Sequence, residues 1–238
     1  MALFDEQLGE VRRILADWRE GAGAREFRAG ERAPWPEGPS LVLEEDTVLE
    51  LGNPAVASLS LLLWGEGGDV EDGRITLVGP DVSEAKERSV PFAQVVIAGG
   101  SFANEYDSYR DARDAVYDAR LHGFSVRTMP SRQSIWCRVA REASEEGFSL
   151  VDLGTAFIEA LKSLDEVSAA QVVFVTASAE DVKKLSGAAA GARRIVDAMM
   201  KMYQEENFDC ETCEYQEVCD TVMDLKIIRE KLTEGKVT

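Results

Sequence analysis

Histidine is nearly absent: the 238-residue sequence has one, His122. No Ser-His-Asp set can be argued from a lone imidazole. Cysteine is sparse, and four residues are too few for a disulfide scaffold. Basic side chains are outnumbered, 26 against 44 acidic ones, for a formal charge of −18. A field of that sign repels nucleic acid and anionic membranes, so neither is an expected partner. No apolar run approaches the roughly 20 residues that span a bilayer. The opening Met1-Ala-Leu-Phe-Asp-Glu6 carries acids where a signal peptide needs basic and apolar residues. These absences predict a cytoplasmic protein. The length suits one large domain or two small ones, with a sizeable core.

Residues 2–22 read as an amphipathic helix, with Leu8, Val11, Ile14, Leu15 and Trp18 at helical spacing. Pro34, Pro36 and Pro39 mark a linker or irregular arm over 28–40. Strands are expected at 40–43, 48–51, 58–64, 74–78 and 90–98, with Gly65–Gly73 as a hairpin loop. Ser101 is the expected N-cap of a helix reaching about His122. Strands at 124–127 and 134–139, a helix at 153–164, a buried strand at 171–177 and a mostly helical 180–205 follow. A last helix covers about 217–231, with Val218, Val222, Leu225, Ile228 and Leu232 on one stripe. Clustered early strands followed by alternating elements predict α+β, an irregular mixed sheet with flanking helices. Three segments result: an N-terminal helix and arm (1–39), a central domain (40–205), and a cysteine loop with a final helix (206–238).

The loop reads Cys210-Glu-Thr-Cys213-Glu-Tyr-Gln-Glu-Val-Cys219, a C-x2-C-x5-C spacing. Two cysteines three apart can aim both sulfurs at one metal, and a third from the next turn completes a face. Thiolates suit zinc and iron–sulfur clusters. The spacing resembles the iron–sulfur staple of some nucleases and part of the auxiliary-cluster motif of some radical enzymes, in local geometry only. An iron–sulfur cluster, of the 4Fe-4S type, is the expected cofactor, with zinc as the alternative. Four protein ligands are usual. Cys137 is the remaining cysteine and is weighed as a fourth ligand against a place in a buried strand. His122 would complete a Cys₃His zinc site. Free thiols are the plain alternative.

Between Arg110 and Arg141 lie seven arginines and no lysine, opposed by three aspartates. Arginine's planar fork suits phosphate, and Trp136 among them offers a ring for stacking. A solvated salt-bridge face explains part of the pattern, such as Arg110 with Asp114. The acidic Gly65–Gly73 does not read as a phosphate loop. The Ala98–Ser101 turn is at most a weak anion site.

The run Leu43–Pro54, with its Leu-Gly-Asn-Pro, resembles the middle domain of acetyl-CoA synthase of the carbon monoxide dehydrogenase complex. So do Gly73–Asp81, with Leu-Val-Gly-Pro-Asp, and Pro91-Phe92. Ile135–Val139, Asp152-Leu-Gly154 and the strand at 171–176 fit in the same order. The likeness spans about residues 40–178. It implies that the central segment is a middle-domain scaffold. In that family the following domain carries the catalytic cubane and a Cys-Gly-Cys that holds nickel, and an N-terminal domain docks on carbon monoxide dehydrogenase. No Cys-Gly-Cys occurs here, and the 210–219 spacing differs from the catalytic one. The resemblance therefore implies no catalytic residue in this stretch alone. It points to an accessory protein of anaerobic one-carbon metabolism, with a corrinoid protein or carbon monoxide dehydrogenase as partner. It also implies an arginine-and-tryptophan face for coenzyme A, with Trp136 and Arg138 on the matching strand and Arg127 and Arg132 grouped by proximity. On that reading the chain is one piece of a split CO-methylating acetyl-CoA synthase. A zinc-stapled structural module is the third reading.

Overall fold

A computed structural model describes residues 3–21, 23–39, 41–101, 104–128, 133–204 and 213–234. The chain runs α1 (Asp5–Glu20), β1 (Ala24–Arg28), β2 (Thr47–Leu51), β3 (Ser58–Gly65), β4 (Arg74–Val78), β5 (Ser89–Val90), β6 (Phe92–Gly100) and α2 (Glu105–Asp118). It continues through β7 (Phe124–Thr128), β8 (Trp136–Ala140), α3 (Arg141–Glu145), α4 (Leu150–Lys162), β9 (Val167–Val175), α5 (Ala179–Lys184) and α6 (Ser186–Gln204). It closes with α7 (Gln216–Thr221) and α8 (Met223–Glu234). The class is α+β, as the element pattern predicts.

Two sheets form. The larger has the order β1-β4-β9-β6-β3 and the smaller β5-β2-β8-β7. In the larger, β9 pairs parallel with β4 and antiparallel with β6. Its inner strands are almost wholly apolar because both faces are covered, which removes the period-two alternation of a half-exposed strand. Helix α4 lies against β4 and β9, and α1 and α6 lie together against β3. Phe92 stacks on Phe174, and Phe157 closes on Phe174 from α4.

Four expectations change. Gly65–Gly73 is not a hairpin loop: β3 and β4 are not neighbours, and the segment crosses the ends of β6 and β9 to reach the far side of the sheet. A glycine-rich spacer between two apolar runs has the same local signature in both cases. The N-cap of α2 is Asn104, whose side chain accepts from the Asp107 N–H, rather than Ser101. Residues 41–43 form no strand. The stretch after α1 holds β1, Ala-Arg-Glu-Phe-Arg, antiparallel to β4. Its charges suit an exposed sheet edge, and they hide it from a search for apolar alternation.

The arm beyond β1 is fastened. The Trp35 indole donates to the His122 carbonyl at 2.9 Å, and the His122 N–H donates to the Pro36 carbonyl at 2.9 Å. Arg32 donates to the Asp152 carboxylate at 2.7 Å and to the Gly147 carbonyl at 2.7 Å. Residues of α1, both sheets and α8 belong to one continuous apolar core.

The Leu-Gly-Asn-Pro and Leu-Val-Gly-Pro-Asp segments are turns with demanding geometry. Gly52 has φ +66° and Gly79 φ +107°, and a Cβ at either would strike backbone of Ile135 or Ala177. The Asn53 side-chain Oδ1 accepts from the Ala55 N–H, and its side-chain amide Nδ2 donates to Glu50 and Ser89. Asp81 accepts from the Val82 and Leu150 N–H groups at 2.7 and 2.9 Å and from the Ser149 hydroxyl at 2.5 Å. Beyond it, α4 starts on a capping box of Ser149 with Asp152.

Asp81→Ala should therefore cost about 2 kcal/mol, lowering the midpoint of a thermal melt by roughly 4–8 °C. A melt unchanged by this substitution would remove Asp81 from this role. A second expectation concerns Asp152. Burial pushes its carboxyl above the ordinary range, against the pull of the Ser149 N–H and Arg32. The folded state thus holds that proton more tightly than the unfolded chain, and stability falls as pH rises from the ordinary carboxylate value through the raised one. Arg32→Ala raises it further. Urea melts should show a deficit of about 1–2 kcal/mol at pH 7, discounted for the half-exposed Arg32, that narrows on acidification through this window.

Candidate functional site

Strand β8 alternates between two environments. Cys137 and Val139 point into the core, while Trp136 and Arg138 share the opposite face. Register carries this face onto both neighbours: Ser125 of β7 and Glu50 of β2 lie opposite Arg138. The Trp136 ring is flanked by two guanidinium groups, Arg138 at 5.3 Å and Arg127 at 5.9 Å from its centroid. One wall of a recess of about 370 Å³ is Trp136, and another is the Gly52-Asn53-Pro54 turn.

The two arginines are not equivalent. Arg138 is 7 % exposed, and its Nε donates to Glu50 at 3.0 Å. Burial alone would raise the Glu50 carboxyl, but hydrogen bonds from Asn53 and Arg138 hold it below the ordinary range. Arg138 is thus committed to a buried ion pair and is not free for an added phosphate. Arg127 is exposed and has no carboxylate partner among the described residues. Two buried polar atoms on the same face, Trp136 Nε1 and Ser125 Oγ, also lack hydrogen-bond partners. Arg132 lies outside the described residues. Arg110 pairs with Asp107 and Asp111 rather than Asp114, and Arg113 with Asp114, on the surface of α2. The run of arginines in sequence is therefore not one patch.

The cysteines divide as well. Cys137 is fully buried in β8, and burial pushes its thiol far up, as for a core side chain. Cys213 and Cys219 line one narrow cavity with Ala198 and Met202 of α6 and Tyr215. Local geometry explains the meeting: the Cys219 N–H donates to the Tyr215 carbonyl and the Gln216 N–H to the Cys213 carbonyl, so α7 folds one cysteine back towards the other. Lys201 and Arg229, which sequence spacing did not single out, stand on the same cavity. Each already faces a carboxylate, Lys201 at 3.8 Å from Glu214 and Arg229 at 2.8 Å from Asp220. Cys210 lies outside the described residues. Among the described residues no three Cys, His, Asp or Glu side chains form a metal-sized group. His122 sits apart with the arm, its Nε2 3.9 Å from Glu142.

No helix among the described residues is long and apolar enough to cross a membrane. "Acetyl-CoA decarbonylase/synthase complex subunit beta 2" of Methanosarcina thermophila is 28 % identical over 195 residues, 77 % of this chain and 40 % of the relative. The protein of the same name from Methanosarcina acetivorans is 30 % identical over 167 residues, 67 % of this chain and 34 % of that one. "Acetyl-CoA decarbonylase/synthase complex subunit beta" of Archaeoglobus fulgidus is 25 % identical over 218 residues, 86 % and 41 % of the two chains. The chain thus spans well under half the length of these relatives. The model of the CO dehydrogenase/acetyl-CoA synthase complex beta subunit family matches residues 31–182, from the fastened arm through β9 to α5. With the greater part of its length matched, the chain belongs to the CO dehydrogenase/acetyl-CoA synthase complex beta subunit family.

Proposed function

We propose that this chain is an acetyl-CoA synthase-like accessory protein of anaerobic one-carbon metabolism. On this reading it holds an iron–sulfur cluster through Cys210, Cys213 and Cys219. It contacts a protein of the carbon monoxide dehydrogenase or corrinoid system. Family membership supports the metabolic setting, and the relatives are named as subunits of a complex. The observation that carries the cluster is the cavity shared by Cys213 and Cys219, with Lys201 and Arg229 on its wall. Two thiols beside two cations fit part of the donor set, and the spacing adds Cys210. Bound there, a cluster would supply electron transfer or a covalent staple for the C-terminal helices. The protein's own residues set its surroundings: Met202 and Ala198 keep one side of the cavity apolar, and Lys201 and Arg229 bring charge to its wall.

A second reading, a coenzyme A-binding piece of a split CO-methylating acetyl-CoA synthase, is favoured by the Trp136 face. A recess beside the ring and a guanidinium at Arg127 without a carboxylate partner among the described residues suit a phosphorylated nucleotide. The zinc-stapled module differs from the first reading in metal identity alone.

Anaerobically purified protein should carry iron and absorb broadly near ~400 nm, with about four irons per chain, the content of a cubane. Cys213→Ala should lose that iron. Stoichiometric zinc instead would establish the staple, and full iron in Cys213→Ala would sink the ligand set. For the second reading, calorimetric titration should show coenzyme A binding weakened at least about tenfold in Arg127→Ala and Trp136→Ala, the loss of one charge-assisted contact or one stacked base. Arg138→Ala should act on stability, by about 2–3 kcal/mol at neutral pH, because it strands the Glu50 carboxylate. The Glu50 carboxyl is depressed in the fold, so this contribution is present above the ordinary carboxylate pKa and lost as pH falls through the depressed one. The wild-type and Arg138→Ala melts should converge in acid.

A further inference from the structure

A cleft of about 570 Å³ opens between the arm, the end of α2 and α4. Its apolar lining comes from Trp35 of the arm, Ala119 at the end of α2 and Ala156 of α4. Three carboxylates stand at its rim, Glu37, Asp118 and Glu159. All three are exposed, and none has an ion-pair or hydrogen-bond partner among the described residues. This contrasts with Glu26, Glu71, Asp72 and Glu84, which are paired elsewhere on the surface. The cations on the cleft do not restore the balance. Arg32 is committed to Asp152, which leaves Arg120 against three carboxylates.

A second feature adds to the negative field. Helix α2 ends on the cleft, and the carbonyls of a last turn carry a partial negative charge. A basic residue in that turn normally offsets this, but α2 has none there and ends instead on Asp118. Helices α1 and α4 each have a basic residue in the last turn. The end of α2 is therefore an electrostatically unfavourable arrangement in the isolated chain, directed at a cleft roomy enough for a peptide segment.

From this complementarity we infer that the cleft receives a basic, lysine-bearing segment of a protein partner. The methylene stem of a lysine lies along Ala119, Ala156 and Trp35, while its ammonium group meets Asp118 and Glu159 and the carbonyl end of α2. The inference deepens the partner contact of the proposed function and is independent of its metal. A polyamine could satisfy the same carboxylates but has no side chain or backbone to cover the apolar lining.

The test uses the full chain and blocked hexapeptides of alternating lysine and alanine, or of alternating glutamate and alanine. Calorimetry should show the lysine peptide binding and the glutamate peptide not binding. The double variant Asp118→Asn/Glu159→Gln should weaken the lysine peptide at least about tenfold, while Glu20→Gln/Glu87→Gln, with the same change of net charge, should leave it within about twofold. Asp118→Asn alone should raise the melting temperature of the free protein and abolish part of the peptide's stabilising effect, which shows that loss of binding is not loss of fold. Absence of lysine-peptide binding, or equal weakening in both double variants, would overturn the inference as a mere response to the acidic field. Spermidine binding as tightly as the peptide would overturn it in favour of a polyamine site. Iron content is a separate readout, so an iron-free chain that still binds the lysine peptide fails the cluster and keeps the cleft.

Discussion

The Asp81 carboxylate ties together elements that are far apart in sequence. Its oxygens accept from the N–H of Val82, the N–H of Leu150 and the hydroxyl of Ser149, so one side chain fixes the exit of β4 to the entry of α4. Directly before it, the Thr176 hydroxyl donates to the Pro80 carbonyl at 2.6 Å, which fastens the end of β9 to the same turn. Gly79 makes the approach possible by giving the chain a φ that residues with a Cβ avoid. With β4, β9 and α4 tied at one point, the larger sheet has a fixed centre, and Gly154 lets α4 sit close on Ile75.

That arrangement explains which parts of the sequence were readable. The segments that carry the family resemblance, around Gly52–Pro54 and Gly79–Asp81, are turn and cap chemistry, where few residue types satisfy the backbone. They reveal the scaffold and say little about reactivity. The apolar strands were visible for the same reason that they are central. What stayed hidden depends on long-range pairing. β1 reads as a charged loop until β4 lies beside it, and the spacer after β3 reads as a hairpin until the strand order is known.

The candidate site was legible by residue type and only partly by arrangement. Trp136 and Arg127 do meet across β7 and β8. Arg138 belongs to the strand that was picked out, yet its charge is consumed by Glu50, a residue whose relevance only the register of β2 discloses. Cys213 and Cys219 converge because α7 begins between them, whereas Cys137 faces the core by strand alternation. Periodicity fixes the face on which a side chain sits, but sheet order decides whom it meets there. The unpaired acids of the cleft were invisible for a related reason: in so acidic a chain, only a map of the paired carboxylates distinguishes those left over.

The strand order also has a consequence for how the chain can be made. β9 lies between β4 and β6, yet among the described residues it is the last strand in sequence. Until residues 167–175 have left the ribosome, β4 and β6 each present an apolar edge with no partner, and the two halves of the larger sheet have nothing to join them. The joining step closes loops of many tens of residues and is slow relative to local helix formation. Between the synthesis of β6 and that of β9 the nascent chain therefore carries two open β edges, which makes this middle stretch of translation the interval when it is most exposed to misassociation.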